Sequence, residues 1–136
     1  MERLIERLTL AKSALAAFAE VLQLPYSKII RDAAIQRFEF TVEAVWKLAQ
    51  RYLVRYEGLE IGSPKGVVRA CLQSGLLEEQ QTTILLTAID DRNLTAHTYN
   101  EKLAEHIYKN LFRYQPLLEI LCSNIEKRIK SSTDKR

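Results

Sequence analysis

Long stretches of this chain place apolar side chains three and four residues apart, and that spacing leaves packed helices as the fold. Leu4, Leu8, Ala11, Leu15, Phe18 and Leu22 form one such seam. Phe38, Val42, Val45, Ala49, Tyr52 and Tyr56 form a second, and Leu103, Ile107, Leu111, Tyr114, Leu118, Leu121 and Ile125 a third. A shorter stripe of Ile84, Leu85, Ala88 and Ile89 lies between them. Residues so spaced share one face of a helix, whereas strands require alternation by two, which no segment shows. The expected fold is all-α: an antiparallel helical bundle of the four-helix type with one additional short helix. The 136 residues suit a single domain with its own core.

Breakers divide the seams into elements. The first helix is predicted from Glu2 to about Gln23, ended by Pro25, which disfavours helix in the residue before it. Ser27 is suited to cap a second helix running to about Tyr56, and Gly58 to Gly62 closes it. Ser63-Pro64 reads as a cap followed by proline at the first helical position, opening a short helix to about Gln73 that Ser74-Gly75 stops. The next helix runs from about Glu78 to Leu94, its acidic first turn complementing the helix dipole. The last begins at Thr98 or Asn100, with a kink expected near Phe112 to Pro116, and Ser131 to Arg136 should fray.

Composition narrows the chemistry. A net charge of +3 permits nucleic-acid binding without arguing for it. Cys71 and Cys122 have apolar neighbours at helical spacing and read as buried free thiols in a reducing compartment. The charged first turns are not a secretory signal, and no run reaches the ~18 apolar residues of a membrane span, so the expected location is the cytoplasm, away from the membrane. Gly-rich phosphate loops, repeated Glu-x-x-His pairs and serine or cysteine nucleophile signatures are absent, so neither a metal nor another cofactor is expected. His106 is assigned to the surface of the last helix.

What remains is Asp90-Asp91-Arg92-Asn93-Leu94-Thr95-Ala96-His97-Thr98-Tyr99. An always-charged guanidinium can hold a phosphate, and an imidazole that titrates near neutrality can move protons. With Arg92 in the last turn of one helix and His97 in the connection to the next, both side chains can meet at one end of the bundle. The spacing alone is equally that of a helix-end arginine and a surface histidine. A second charged run, Arg31 to Lys47, mixes aromatics with Arg37, Glu39 and Glu43 and contains the i,i+4 pair Glu43–Lys47. It fits a solvated face or a polar interface with another chain, around Phe38, Phe40 and Trp46.

Arg92 to Tyr99 resembles the Arg-x4-His-x-Tyr motif of HEPN domains, with a polar residue directly after the arginine. Arg31 to Lys47, and Ser63-Pro64 followed by Gly66-Val67-Val68-Arg69, are similar to the branch described as nucleotidyltransferase substrate-binding proteins. That branch overlaps the HepT toxins of HepT/MNT toxin–antitoxin pairs, and the likeness covers nearly the whole chain. The resemblance implies a bundle that forms a homodimer or higher homo-oligomer and acts as a metal-independent endoribonuclease on RNA. Arg92 would bind the scissile phosphate, His97 would serve as general acid or base, and Asn93 would orient these groups or the substrate. Tyr99 would be the residue that a partner MNT-type nucleotidyltransferase antitoxin modifies with AMP. The alternatives are a non-catalytic substrate-binding subunit of a two-component nucleotidyltransferase, and a helical dimer whose motif is incidental.

Overall fold

Every α-helix after the first starts where a side chain supplies an acceptor for otherwise unpaired N–H groups. In the computed structural model, which describes residues 1–134, the Ser27 hydroxyl accepts from the Ile30 amide at 3.0 Å and opens α2 (Lys28–Tyr52). Ser63 does the same for Gly66 at 3.1 Å, with Pro64 in the first turn of α3 (Pro64–Gln73). Glu78 and Gln81 form a reciprocal capping box at the head of α4 (Glu79–Leu94). The first helix, α1, spans Glu2–Leu22, and the last, α5, spans Glu101–Asp134. These bounds follow the sequence expectation closely.

Two details differ, and a third, the single helix running through Pro116, is as expected. Beyond Tyr52 the second helix widens into a π-helical turn, Leu53–Glu57, before Gly58 adopts a left-handed φ of 67° that a side chain would strain. Pro116 lies inside one continuous helix, its missing N–H costing a bond to the carbonyl of Phe112, whose side chain is exposed. The last helix also continues to Asp134, through most of the segment expected to fray; residues 135 and 136 lie outside the described residues. No strand occurs among the described residues.

The seams meet as their spacing requires. Buried residues of α1, α2 and α5 form the main core, with α3 and α4 packed over one side of it. At its centre Phe38 of α2 lies between Phe18 of α1, ring centroids 6.0 Å apart, and Tyr114 of α5, 5.6 Å and stacked. An apolar cavity between α2, α3, α4 and α5 measures about 10 Å³, room for one water at most. Both cysteines are buried and free, and burial raises the Cys71 thiol to about 12 and that of Cys122 to about 11. Among the described residues no helix is long and apolar enough to cross a membrane.

The aromatic residues of α2 separate by register. Phe38 is fully buried, Trp46 partly so, and Phe40 remains 44% exposed. Phe38→Ala should therefore cost about 3–5 kcal/mol, as deletion of a buried ring does, whereas Phe40→Ala should change stability by less than about 0.5 kcal/mol. Urea unfolding of the two variants checks this.

Candidate functional site

The end of α4 is built by hydroxyls and an amide that occupy its last carbonyls. Thr95 donates its Oγ1–H to the Arg92 carbonyl at 2.7 Å, and Thr98 does the same for Thr95 at 2.9 Å. The chain tightens there into a single 3₁₀ turn, Thr95–His97. The Asn100 amide donates to the His97 carbonyl at 3.1 Å, and Asn100 Oδ1 accepts from the Leu103 amide at 3.1 Å, opening α5. Asn100, not Thr98, is thus the residue that caps the last helix. Small polar residues suit this connection because their side chains replace the hydrogen bonds that a helix end loses.

Beneath the turn lies a buried carboxylate. Asp91 is 7% exposed and accepts from the Tyr114 hydroxyl at 2.7 Å and from Asn110 Nδ2 at 3.1 Å. Tyr114 also lies 3.3 Å from the Thr87 hydroxyl. Burial, more than the neighbouring Asp91 charge, pushes the Tyr114 phenol up to about 12, so it remains a donor at neutral pH. This pairing fixes the last turn of α4 against α5, and with it the positions of Arg92 and His97.

A second clamp anchors the start of α5. Arg31 has a side chain only 2% exposed, yet its guanidinium meets three carboxylates: Glu101 at 2.7 Å, Asp32 at 2.9 Å and Glu105 at 3.0 Å. The hydrogen bond from Arg31 holds the Glu101 carboxyl below the usual range. The Tyr26 hydroxyl, then Arg31, does the same for Glu105. The connection bearing His97 and Tyr99 is thereby held at both ends by buried polar contacts.

On this frame the motif residues point apart. Arg92 is partly exposed and extends toward α2, its Nη2 3.9 Å from Glu43 Oε2, while its Nε is buried without a partner. His97 is exposed, and its ring meets that of Tyr99 edge-on at 6.1 Å. Tyr99 is 84% exposed, and Asn93 lies exposed on the last turn of α4. Among the described residues no hydrogen bond or ion pair joins Arg92 to His97. Five residues along a path that is first α and then 3₁₀ correspond to roughly 140–200° around the axis, which sends the two side chains to different faces. Within one chain the pair is thus not in contact.

His106 is exposed, as expected, with Nε2 3.4 Å from Asn110 Nδ2. Among the described residues no group of three or more His, Cys, Asp or Glu side chains is placed to hold a metal ion. Arg31 and Asp91 are the polar residues that sequence reasoning did not single out. The signal for each was its register: Arg31 extends the α2 seam seven residues before Phe38, and Asp91 lies three residues after Ala88 on the α4 stripe.

A family model described as "nucleotidyltransferase substrate binding protein like" matches residues 5–127. Among curated proteins no match was found. A solved structure from Thermus thermophilus is 47% identical and superposes with a TM-score of 0.82, covering 85% of this chain and 98% of its own. A Haemophilus influenzae structure, said to reveal the fold of a substrate binding domain of a nucleotidyltransferase, is 21% identical with a TM-score of 0.74. It spans 88% of this chain and 98% of that one. A chain from a toxin–antitoxin structure with AMP-PNP is 15% identical with a TM-score of 0.63, spanning 87% of this chain and 96% of that one. At such identities the last two establish a shared fold.

The Tyr114–Asp91 bond yields a direct expectation. Tyr114→Phe keeps the ring against Phe38 but leaves the buried carboxylate with Asn110 alone, at a cost of about 1–3 kcal/mol. Amide hydrogen exchange should quicken between Arg92 and Thr98 while the amides of α1 keep their order of protection.

Proposed function

Because the chain belongs to the nucleotidyltransferase substrate-binding-protein-like family, we propose that it is one component of a two-part system whose other component is an MNT-type nucleotidyltransferase. In this reading the chain is a HEPN-type, metal-independent ribonuclease toxin, and its partner silences it by transferring AMP to Tyr99. The observation that carries the reading is the placement of Tyr99. Its phenol stands almost free in solvent with its ring against that of His97. An AMP group there adds about one negative charge and a purine beside the imidazole, where an RNA phosphate has to bind. Inhibition then needs only local blockade.

The chemistry follows from two residue types. Arg92 supplies a planar, permanently charged fork for the scissile phosphate, and a lysine would not reproduce its bidentate grip. His97 takes the proton from an attacking ribose hydroxyl or gives one to the leaving oxygen. Asn93, exposed one residue past Arg92, orients the substrate. Since the two principal side chains diverge within a chain, the site is completed across a two-fold axis, where Arg92 of one copy faces His97 of the other.

The divergence of Arg92 and His97 also favours a second reading, in which the chain is a non-catalytic subunit that presents substrate to the nucleotidyltransferase. Purified chain incubated with RNA separates the two. Arg92→Ala and His97→Ala should each abolish cleavage, with losses of at least ~10²–10⁴ in rate, while circular dichroism and melting temperature hold. Incubation with the partner, ATP and magnesium should add mass in whole AMP units, lost in Tyr99→Phe. An inert wild-type chain, or alanine variants as active as wild type, would contradict the nuclease reading.

A further inference from the structure

Glu43 lies mid-way along α2, far in sequence from the motif, yet its carboxylate pairs with the Arg92 guanidinium. That carboxylate is itself held on both oxygens. Oε2 accepts from the Trp46 indole N–H at 3.1 Å, and Oε1 pairs with Lys47 at 3.2 Å. Burial acts to raise the Glu43 carboxyl, but the Trp46 and Lys47 hydrogen bonds, with the charges of Lys47 and Arg92, outweigh it and hold the group below its ordinary range. It is therefore ionised at neutral pH. Arg92, by contrast, has little else to fix it. Its Nε is buried without a hydrogen-bond partner, so the guanidinium is oriented by packing at one edge and by Glu43 at the other.

We infer that Glu43 is a positioning residue for Arg92, aiming its guanidinium along α2 so that the outer N–H groups stay available to a phosphate. At 3.9 Å the contact is an ion pair longer than a hydrogen bond. It orients the fork without consuming the donors that a bidentate phosphate contact needs. Trp46 and Lys47 make the carboxylate a fixed point, since a free glutamate would follow the arginine and not direct it. Glu43 also lines an open groove of about 280 Å³ between α1 and α2, beside Phe40, Arg7 and Lys47. The inference rests on the nuclease reading for its purpose, and on the Glu43–Arg92 geometry for its substance.

The test has two arms. In the first, ¹⁵N relaxation of the Arg92 Nε–H group is measured in wild type, Glu43→Gln and Trp46→Phe. The order parameter should fall in both variants, more in Glu43→Gln; an unchanged value in both overturns the inference. In the second, binding of a non-cleavable 2′-O-methyl single-stranded RNA is measured in a double-mutant cycle. Glu43→Gln should weaken binding about two- to fivefold, the range of a partly exposed ion pair, and should have no further effect once Arg92→Ala is present. A Glu43 effect of equal size in the Arg92→Ala background also overturns it. Wild-type protein that neither binds nor cuts RNA contradicts the nuclease reading, and the relaxation arm then decides the positioning role alone.

Discussion

The hydrogen bond from Tyr114 to Asp91 is the contact on which the arrangement turns. The tyrosine ring is part of the core, stacked on Phe38, and its hydroxyl ends on the buried acid of α4. One side chain thus links the apolar packing of α2 and α5 to the turn that carries Arg92. A buried carboxylate is costly unless its lone pairs are filled, so the register of α4 against α5 is set by the need to satisfy it. Sliding α4 by a turn would bury Asp91 without its donors.

From that fixed point the rest of the surface follows. Once the last turn of α4 is placed, the threonine hydroxyls at 95 and 98 shape the exit, and the Arg31 clamp holds the first turn of α5. Between these anchors the chain displays His97 and Tyr99 outward, with Arg92 turned the other way toward Glu43. The cavity between α2, α3, α4 and α5 is too small for a ligand, and His97 and Tyr99 lie on the outside of the bundle. A surface that separates an arginine from its histidine in one chain, while leaving both accessible, is suited to being completed by a second copy.

Most of the architecture was legible in the sequence because it is written locally. Seam spacing, Ser27, Ser63-Pro64, Gly58 and Gly75 each act within a few residues, and the helices begin and end close to where those signals lie. Buried charge was not legible, because its meaning depends on partners remote in sequence. Arg31 bonds to a residue 70 positions away, and Asp91 to one 23 positions away. Phe38 and Phe40 differ by two residues and lie on opposite sides of α2, which the seam indicates only for the first. The motif itself was visible, but the contacts its side chains make within one chain were not: Arg92 pairs with Glu43, and His97 lies against Tyr99. Where Arg92 goes is decided by Glu43, 49 residues earlier in the chain.

In the proposed nuclease, one active site is shared between two copies, with Arg92 from one acting beside His97 from the other. Mixing tests it most directly. Arg92→Ala and His97→Ala chains, each inactive alone, are unfolded together, refolded and assayed for RNA cleavage. Activity should return in proportion to the mixed dimer, because that species alone pairs an intact arginine with an intact histidine across the axis. No recovery, in a mixture shown by mass spectrometry to contain the mixed dimer, would contradict a shared site.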